Sequence, residues 1–375
     1  MNKLRVTIIG GGFAGLSAAK VLSSRRDLVE ITLIDQNENM QFRPLLPDIV
    51  SKNVKINDIL YSYSKLKEKY GFTFYHEPVR ALNFNQNQIN VSEQNLDYDY
   101  LIIAAGSQSA PLPVENLKHS TLKFNTAYDA NIIRDLVFQG KYERIIICGG
   151  GYTGVELASN IQKAILKSNS KTETIVVEMT NSLVGTLPVW MQRYIKKNLE
   201  KMGIIVQLSS KIETINSKTV ILSTGQKYEN ALCIWTTGLV SASITSNLNI
   251  EKGPKGRIMV DSALMFRENC FAAGDISCLK NLKYNPRLSV QAAVDQGRIC
   301  GKNILQSITG SSLFKYSPRD PCFIIPTADG NSCGEVLGFP VKGKIASLLH
   351  YIISTYRSYG FANKINILTG AKVIC

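Results

Sequence analysis

The sequence predicts an α/β protein in which one strand–turn–helix–strand plan occurs twice on parallel sheets, followed by a small C-terminal region with an amphipathic helix. Three observations carry this reading. Glycines at the spacing G-x-G-x-x-G stand between an apolar strand and a helical pattern in 4-LRVTIIGGGFAGLSAAKVL-22, and again in 145-IIICGGGYTGVELASNI-161. A second apolar strand follows each helix, 29-VEITLID-35 and 174-TIVVE-178, and each ends in an acid. Near the end, Ile345, Leu348, Leu349, Ile352, Ile353 and Tyr356 recur at helical spacing.

The first copy occupies residues 4–35. Its glycines are Gly10, Gly12 and Gly15, and Asp35 lies twenty residues beyond the last of them. The second occupies residues 144–178, with Gly149, Gly151 and Gly154, and Glu178 twenty-four residues beyond. Glycine permits the tight turn and lets the backbone approach a pyrophosphate, whose charge is held by N–H groups at the helix amino terminus. An acid at that distance accepts hydrogen bonds from an adenosine ribose. A lone glycine loop is weak evidence, because turns use glycine for many reasons. Two loops, each with its strand and its acid, predict two Rossmann-like dinucleotide-binding domains and two dinucleotides.

With 375 residues, 45% of them hydrophobic, the chain is long enough for two or three globular domains. Its formal charge of +14 suits an anionic partner: nucleic acid, a phosphate-rich cofactor or an acidic membrane surface. No apolar run reaches the roughly 18 residues of a spanning helix. Strand pattern begins almost at once after Met1, so no signal peptide is expected and the chain is placed inside the cell. The eight cysteines, Cys375 the last, are scattered without C-x-x-C or zinc-ligand spacing. Cys148 and Cys233 read as small hydrophobes within strands. Cys322 and Cys333 flank a loop where a redox link is an alternative to free thiols. His76, His119 and His350 lie far apart and read as surface or packing residues.

Further motifs follow in order: 100-YLIIAAGS-107, 151-GYTGVELA-158, 234-IWTTGL-239 and 270-CFAAGDIS-277. With the first loop they resemble the motifs of flavoprotein pyridine-nucleotide oxidoreductases that have two dinucleotide-binding domains, over about residues 4–305. Within that superfamily of FAD-dependent pyridine nucleotide-disulfide oxidoreductases, 42-FRPLLPDIV-50 and 290-VQAAVDQGRICGKNI-304 look most like type II NADH:quinone oxidoreductases.

The resemblance implies FAD on the first loop. Gly10, Gly12, Phe13, Ala14 and Gly15 would hold its pyrophosphate and Asp35 its adenosine ribose, with Arg43 on a phosphate or flavin edge. Val79 would contact adenine through its backbone, and Ala105 and Gly106 would pass close to the cofactor. Asp275, after Gly274, would bond the ribityl chain, although Gly-Asp is also a common turn. NADH would lie on Gly149, Gly151, Tyr152, Thr153 and Gly154, with Glu178, Thr237 and Gly238. Hydride then passes between stacked rings, the chemistry belonging to the cofactor.

Glu156 has two readings. Its place just inside the helix suits a capping acid that gains from the positive helix end. The resemblance instead puts it by the nicotinamide and flavin, positioning the ring or relaying a proton. The family's A-Q-x-A-x-Q segment, with two glutamines near the flavin and quinone head group, corresponds here to residues 290–295. Gln291 is kept, Asp295 replaces the second glutamine, and 287-RLS-289 replaces the usual prolines.

The expected architecture is an FAD domain from residues 1–108 and 235–307, an NADH domain of 109–234 between them, and a C-terminal region of 308–375. The expected activity is transfer of hydride from NADH to flavin and of electrons to a quinone, without proton pumping. A related soluble or sulfide-linked flavoprotein reductase is the alternative. A disulfide reductase would need a C-x-x-C or C-x4-C pair by the first loop, and a sulfide:quinone enzyme usually has a cysteine soon after the second; neither is present. A basic binding protein without catalysis would not need both ribose-binding acids, and no nucleic-acid partner is expected. A homodimer is left open. From Val336 to Cys375 there is no acid, while Lys342, Lys344, Arg357, Lys364 and Lys372 are positive. That pattern suits an interfacial helix on an anionic membrane face, peripheral and cytoplasmic, although a core-packing helix has the same stripe.

Overall fold

The computed structural model describes residues 2–51, 53–92, 94–110, 121–216, 218–280 and 287–371; His119, Lys372 and Cys375 lie outside them. The helices are α1 (Phe13–Leu22), α2 (Leu46–Val50), α3 (Tyr63–Tyr70), α4 (Ala127–Gln139), α5 (Tyr152–Lys167), α6 (Val189–Lys201), α7 (Val290–Ile308), α8 (Gly343–Arg357) and α9 (Phe361–Ala371). Two compact units result. Met1–Met40, Tyr61–Gln108 and Leu239–Asp320 make the first; Gln41–Leu60, Ser109–Gly238 and Pro321–Cys375 make the second.

These units depart from the expected boundaries. Residues 41–60 leave the first unit because α2 packs on α4 and α5. The C-terminal region divides: Tyr316 N donates to Ser262 O at 2.7 Å and stays with the first unit. Beyond Pro321 the chain joins the second unit, where Asn198 Nδ2 of α6 donates to Asn331 O at 3.2 Å.

The first unit is built on a six-stranded sheet in the order Met265–Arg267, Cys270–Ala272, Tyr100–Ile103, Leu4–Ile9, Val29–Asp35, Thr73–His76. All neighbours are parallel except Met265–Arg267, which closes one edge antiparallel. Parallel strands covered on both faces have no solvent side to keep polar, and the central strand is accordingly an apolar run with Val6 and Ile8 fully buried. Helix α1 packs tightly on α7. A β-carbon at Gly297 would collide with the carbonyl of Ala14, and Ser17 Oγ donates to Val294 O at 2.7 Å. The start of α7 is thereby held against the first turn of α1.

The second unit repeats the plan with five parallel strands, in the order Thr121–Lys123, Ala231–Trp235, Arg144–Cys148, Glu173–Val177, Ile205–Gln207. Helix α5 covers the central pair. A three-stranded antiparallel sheet, Ile212–Asn216, Thr219–Leu222 and Lys227–Tyr228, closes the core around Cys233 and Val220.

Residues beyond Pro321 form a second antiparallel sheet, Cys322–Ile325, Ser332–Val336 and Phe339–Lys342, against which α6 and α8 pack. Its register opposes Cys322 to Val336 and Cys333 to Ile325, so the thiols stand three residues, or roughly 10 Å, apart along the ladder. The two are not joined to each other, so the redox link weighed for them does not form. Helix α8 buries Ala346, Ser347, Tyr351, Ser354 and Thr355 and exposes Ile345 (68%), Leu348 (46%), Ile352 (45%) and Tyr356 (81%). The expected stripe is split: Leu349 and Ile353 are partly covered and the other four face outward. Among the described residues no helix is long and apolar enough to cross a membrane.

Candidate functional site

The first glycine turn follows directly from its sheet. Gly10 N donates to Ile34 O at 2.8 Å, and its φ of 99° is the left-handed region that glycine tolerates. A β-carbon at Gly15 would collide with the carbonyl of Gly10, so the third glycine is needed for helix to meet strand. Gly12 differs: nothing lies within 4 Å of where its β-carbon would be, and α1 has no side-chain cap. A helix amino terminus open in this way, beside a backbone open to close approach, fits a pyrophosphate. Phe13 and Ala14 open the helix above it.

Asp35, at the end of its strand, is held rigidly. Its Oδ2 accepts from Gly11 N at 2.7 Å and Tyr63 Oη at 3.3 Å, and its Oδ1 from Asn37 N at 2.8 Å. The Tyr63 ring lies so close to Gly11 that a β-carbon there would strike it. At Gly274 φ is 81°, and its N–H donates to Gln296 Oε1 at 2.6 Å; Ser107 Oγ donates to Asp275 Oδ2 at 2.7 Å. Asp275 also borders a cavity of about 300 Å³ lined by Ser107, Val240, Lys255, Arg257 and Leu288. Gly106, with φ of 72° and open space beside it, follows Ala105 in the same unit. Val79 opens a strand of a separate three-stranded antiparallel sheet there. Arg43 belongs to the second unit, at the start of the turn before α2, so the first unit does not itself bring it to the glycine turn. Reading the sequence assigned no role to Tyr63, Ser107 or Gln296; the last two stand within quoted motifs, but their contacts with the predicted residues are tertiary and nothing local marks them.

The second turn matches the first. Gly149 has φ of 113°, a β-carbon at Gly154 would collide with the Gly149 carbonyl, and Gly151 faces open space at the uncapped start of α5. Thr153 and Tyr152 form the first helical turn. Glu178 Oε2 accepts from Gly150 N at 2.7 Å, and its Oε1 accepts from Thr180 N and Oγ1 at 2.8 and 2.9 Å. Thr237 lies against Gly149, where a β-carbon would meet its methyl group, and Gly238 O accepts from Ala110 N at 2.5 Å. This turn fits a second pyrophosphate by the same test.

Glu156, in the second turn of α5, is partly buried. Desolvation, and after it the like charge of Asp48, push its carboxyl well above the usual carboxylate range. Asp48 on α2 is only 3% exposed, and burial pushes its carboxyl up to about 6, against the pull of a hydrogen bond from Tyr351 and the charge of Lys163. A capping acid at a solvated helix end would be driven the other way. A carboxyl whose proton is held more tightly in this way is suited to give and take protons.

Gln291 Nε2 donates to Asp295 Oδ2 at 2.7 Å one turn along α7, and Arg298 Nη2 donates to Asp295 Oδ1 at 2.6 Å. The acid standing where the family has glutamine is thus bonded within its own helix to Gln291 and Arg298.

A family model described as pyridine nucleotide-disulphide oxidoreductase matches residues 4–297. The chain is 26% identical to a Synechocystis protein named demethylphylloquinone reductase NdbB, covering 94% of this chain and 92% of that protein. It is 23% identical to the type II NADH:quinone oxidoreductase of Haemophilus influenzae, covering 95% and 93%. Its fold matches the NDH2 structure from Plasmodium falciparum in complex with NADH, with a TM-score of 0.87 at 16% identity over 99% of this chain and 98% of that one.

Proposed function

The chain belongs to the pyridine nucleotide-disulphide oxidoreductase family, and from that premise we propose that it is a type II NADH dehydrogenase, moving hydride from NADH to FAD and electrons on to a quinone without pumping protons. The observation that carries this reading is the pair of matching turns, each with an acid bonded to its loop at 2.7 Å. Bound FAD supplies the hydride acceptor and the electron store.

The first unit is the FAD domain: Gly10, Gly12 and Gly15 admit the pyrophosphate, Asp35 takes the ribose, and Asp275, oriented by Ser107, takes the ribityl hydroxyls. The second unit orients NADH on Gly149, Gly151 and Gly154. Glu178 repels a 2′-phosphate there, and 179-MTNS-182 offers no arginine to hold one. Glu156 holds the proton that must move when electrons leave the flavin. Gln291, braced by Asp295, meets the acceptor. The quinone-linked names of the Synechocystis and Haemophilus relatives support a quinone as that acceptor.

The C-terminal helices seat the protein on the anionic, cytoplasmic face of a membrane. What supports this is the inverted amphipathy of α8, hydroxyl and small residues inward and Ile345, Leu348, Ile352 and Tyr356 outward, continued by exposed Phe361, Ile365 and Leu368 of α9. A core-packing helix would bury those residues. The test is the spectrum and steady-state turnover of the purified protein with menaquinone and ubiquinone analogues, disulfides and sulfide. A yellow protein whose NADH oxidation depends on quinone is expected; a colourless one, or one that prefers disulfide or sulfide, overturns the reading.

A further inference from the structure

The segment Gln41–Leu60 is bonded on one side to α5 and on the other to the C-terminal helices. Toward α5, Ser51 Oγ donates to Asn160 Oδ1 at 2.6 Å, Asn160 Nδ2 donates to Glu156 O at 3.0 Å, and Lys167 Nζ donates to Ser51 O at 2.8 Å. Toward the C-terminal helices, Tyr351 Oη donates to Asp48 Oδ1 at 2.5 Å, Asn366 Nδ2 to Asp58 Oδ1 at 2.8 Å and Asn363 Nδ2 to Leu60 O at 3.2 Å. Asp48 and Tyr351 are each 3% exposed. A charged carboxylate is costly to bury without partners, so this acid in the interior of the second unit needs an explanation.

We propose that Asp48, fixed by the Tyr351 hydroxyl, is a positioning residue that decides which of the two neighbouring carboxyls, its own or that of Glu156, carries a shared proton. The proposal rests on the reading of Glu156 as the proton-handling group.

Two carboxyls that feel each other in a dry interior do not both ionise readily, and they titrate as a pair. The Tyr351 donor favours the charged form of Asp48, and a charged Asp48 favours the neutral form of Glu156. The proton is therefore directed to Glu156, the member on the helix that begins at the second glycine turn. The other ionisable groups around the pair are few. From α5, Lys163 attracts Asp48 while its own ammonium donates to Ala328 O at 2.9 Å, near Lys167 and Asp329. From α8, His350 lies against the Tyr351 ring and is held neutral by burial, its imidazole pushed down to about 4. On α4, Asp129 caps its own helix and Arg134 pairs with Asp135, so neither competes for the site. Lys163 attracts the charged form of Asp48, as the Tyr351 hydroxyl does.

The experiment is an infrared pH titration of protonated carboxyl groups in the purified full chain, compared with Asp48→Asn, Tyr351→Phe and Glu156→Gln, alongside the pH profile of quinone-dependent NADH oxidation. Asp48→Asn is expected to remove one carboxyl component and move that of Glu156 down by about one pH unit. Tyr351→Phe should bring the two closer together, Asp48 up and Glu156 down, and the basic limb of turnover should fall with Glu156 in both variants. A Glu156 component that stays in place in both overturns the proposal. If Asp48→Asn does not fold, Tyr351→Phe decides alone. If Glu156→Gln leaves turnover unchanged while the infrared shifts occur, the coupling stands and the catalytic reading of Glu156 fails.

Discussion

Glu178 receives the backbone N–H of Gly150 at 2.7 Å, the same bond at the same length that Asp35 receives from Gly11 in the other unit. Each acid therefore stabilises its own turn, and its rotamer is set in advance of any ligand. Glu178→Gln keeps an acceptor for Gly150 and removes the charge. We expect KM for NADH to rise about 10-fold, as loss of a charged hydrogen bond implies, with kcat little changed and the preference over NADPH falling by the same factor or more. Steady-state kinetics with both nucleotides measure it, and an unaltered preference would remove Glu178 from the ribose.

The glycines divide into those whose β-carbon the chain would obstruct and those that face open space. Gly12→Ala and Gly151→Ala place a methyl group in open space, so circular dichroism should stay that of the parent. Gly12→Ala should purify with most of its flavin lost, whereas Gly151→Ala keeps its flavin and raises KM for NADH. Gly15→Ala meets the Gly10 carbonyl and should fail to fold. Full flavin content in Gly12→Ala would contradict the assignment of the first turn.

Glu156→Gln should retain FAD and slow turnover with every acceptor by about 10²-fold, the low end for losing a proton-transfer group. Gln291→Ala should spare flavin reduction by NADH and weaken only acceptor use. Stopped-flow measurement of the two half-reactions separates these, and equal loss in both halves for Gln291→Ala would place that residue elsewhere.

Stability against pH should show two opposed slopes. Asp48, raised from 3.8 to about 6, binds its proton more tightly folded than unfolded, so it makes stability fall as pH rises from about 4 to about 6, by about 3 kcal/mol. The raised Glu156 acts in the same direction. His350, lowered from 6.5 to about 4, binds its proton less tightly folded, so it makes stability rise from about 4 to about 6.5. Asp48→Asn removes one falling contribution, and its thermal midpoint should climb across this window more than that of the parent. Parallel curves would mean that Asp48 does not titrate there.

Replacing Ile345, Leu348, Ile352 and Tyr356 together by serine changes only exposed positions of α8. The variant should fold and turn over water-soluble quinone analogues as the parent does, but should no longer sediment with anionic liposomes. Equal sedimentation would leave that face without a membrane role.

Both glycine turns and their acids were legible in the sequence because glycine spacing and strand endings are local. The pairing partners were not. Tyr63 reaches Asp35 from twenty-eight positions away and Tyr351 reaches Asp48 from 303, and no periodicity announces such contacts. The α8 stripe was visible as a period, but a period does not say which way it faces. The hydroxyls of Ser347, Ser354 and Thr355 reverse the usual inside and outside by taking the buried face. Residues 41–60 were placed with the first unit because they follow it in sequence, whereas their packing partners α4 and α5 come roughly a hundred residues later.

The order in which the sheets can close during synthesis also follows from their strands. Every strand of the second unit's parallel sheet lies between Thr121 and Trp235, so that sheet is complete once one continuous stretch has left the ribosome. The first unit begins the chain but lacks Cys270–Ala272, the parallel neighbour of Tyr100–Ile103, and α7, the helix that covers α1, until much later. The first sheet must therefore wait, with the Tyr100–Ile103 edge unpaired and α1 uncovered by α7, while a later sheet folds ahead of it. Nascent chains halted near residue 275, where the stretch to Trp235 has left the exit tunnel and Cys270–Ala272 has not, should protect the second sheet from protease and leave the first open, the reverse of the usual amino-terminal-first order.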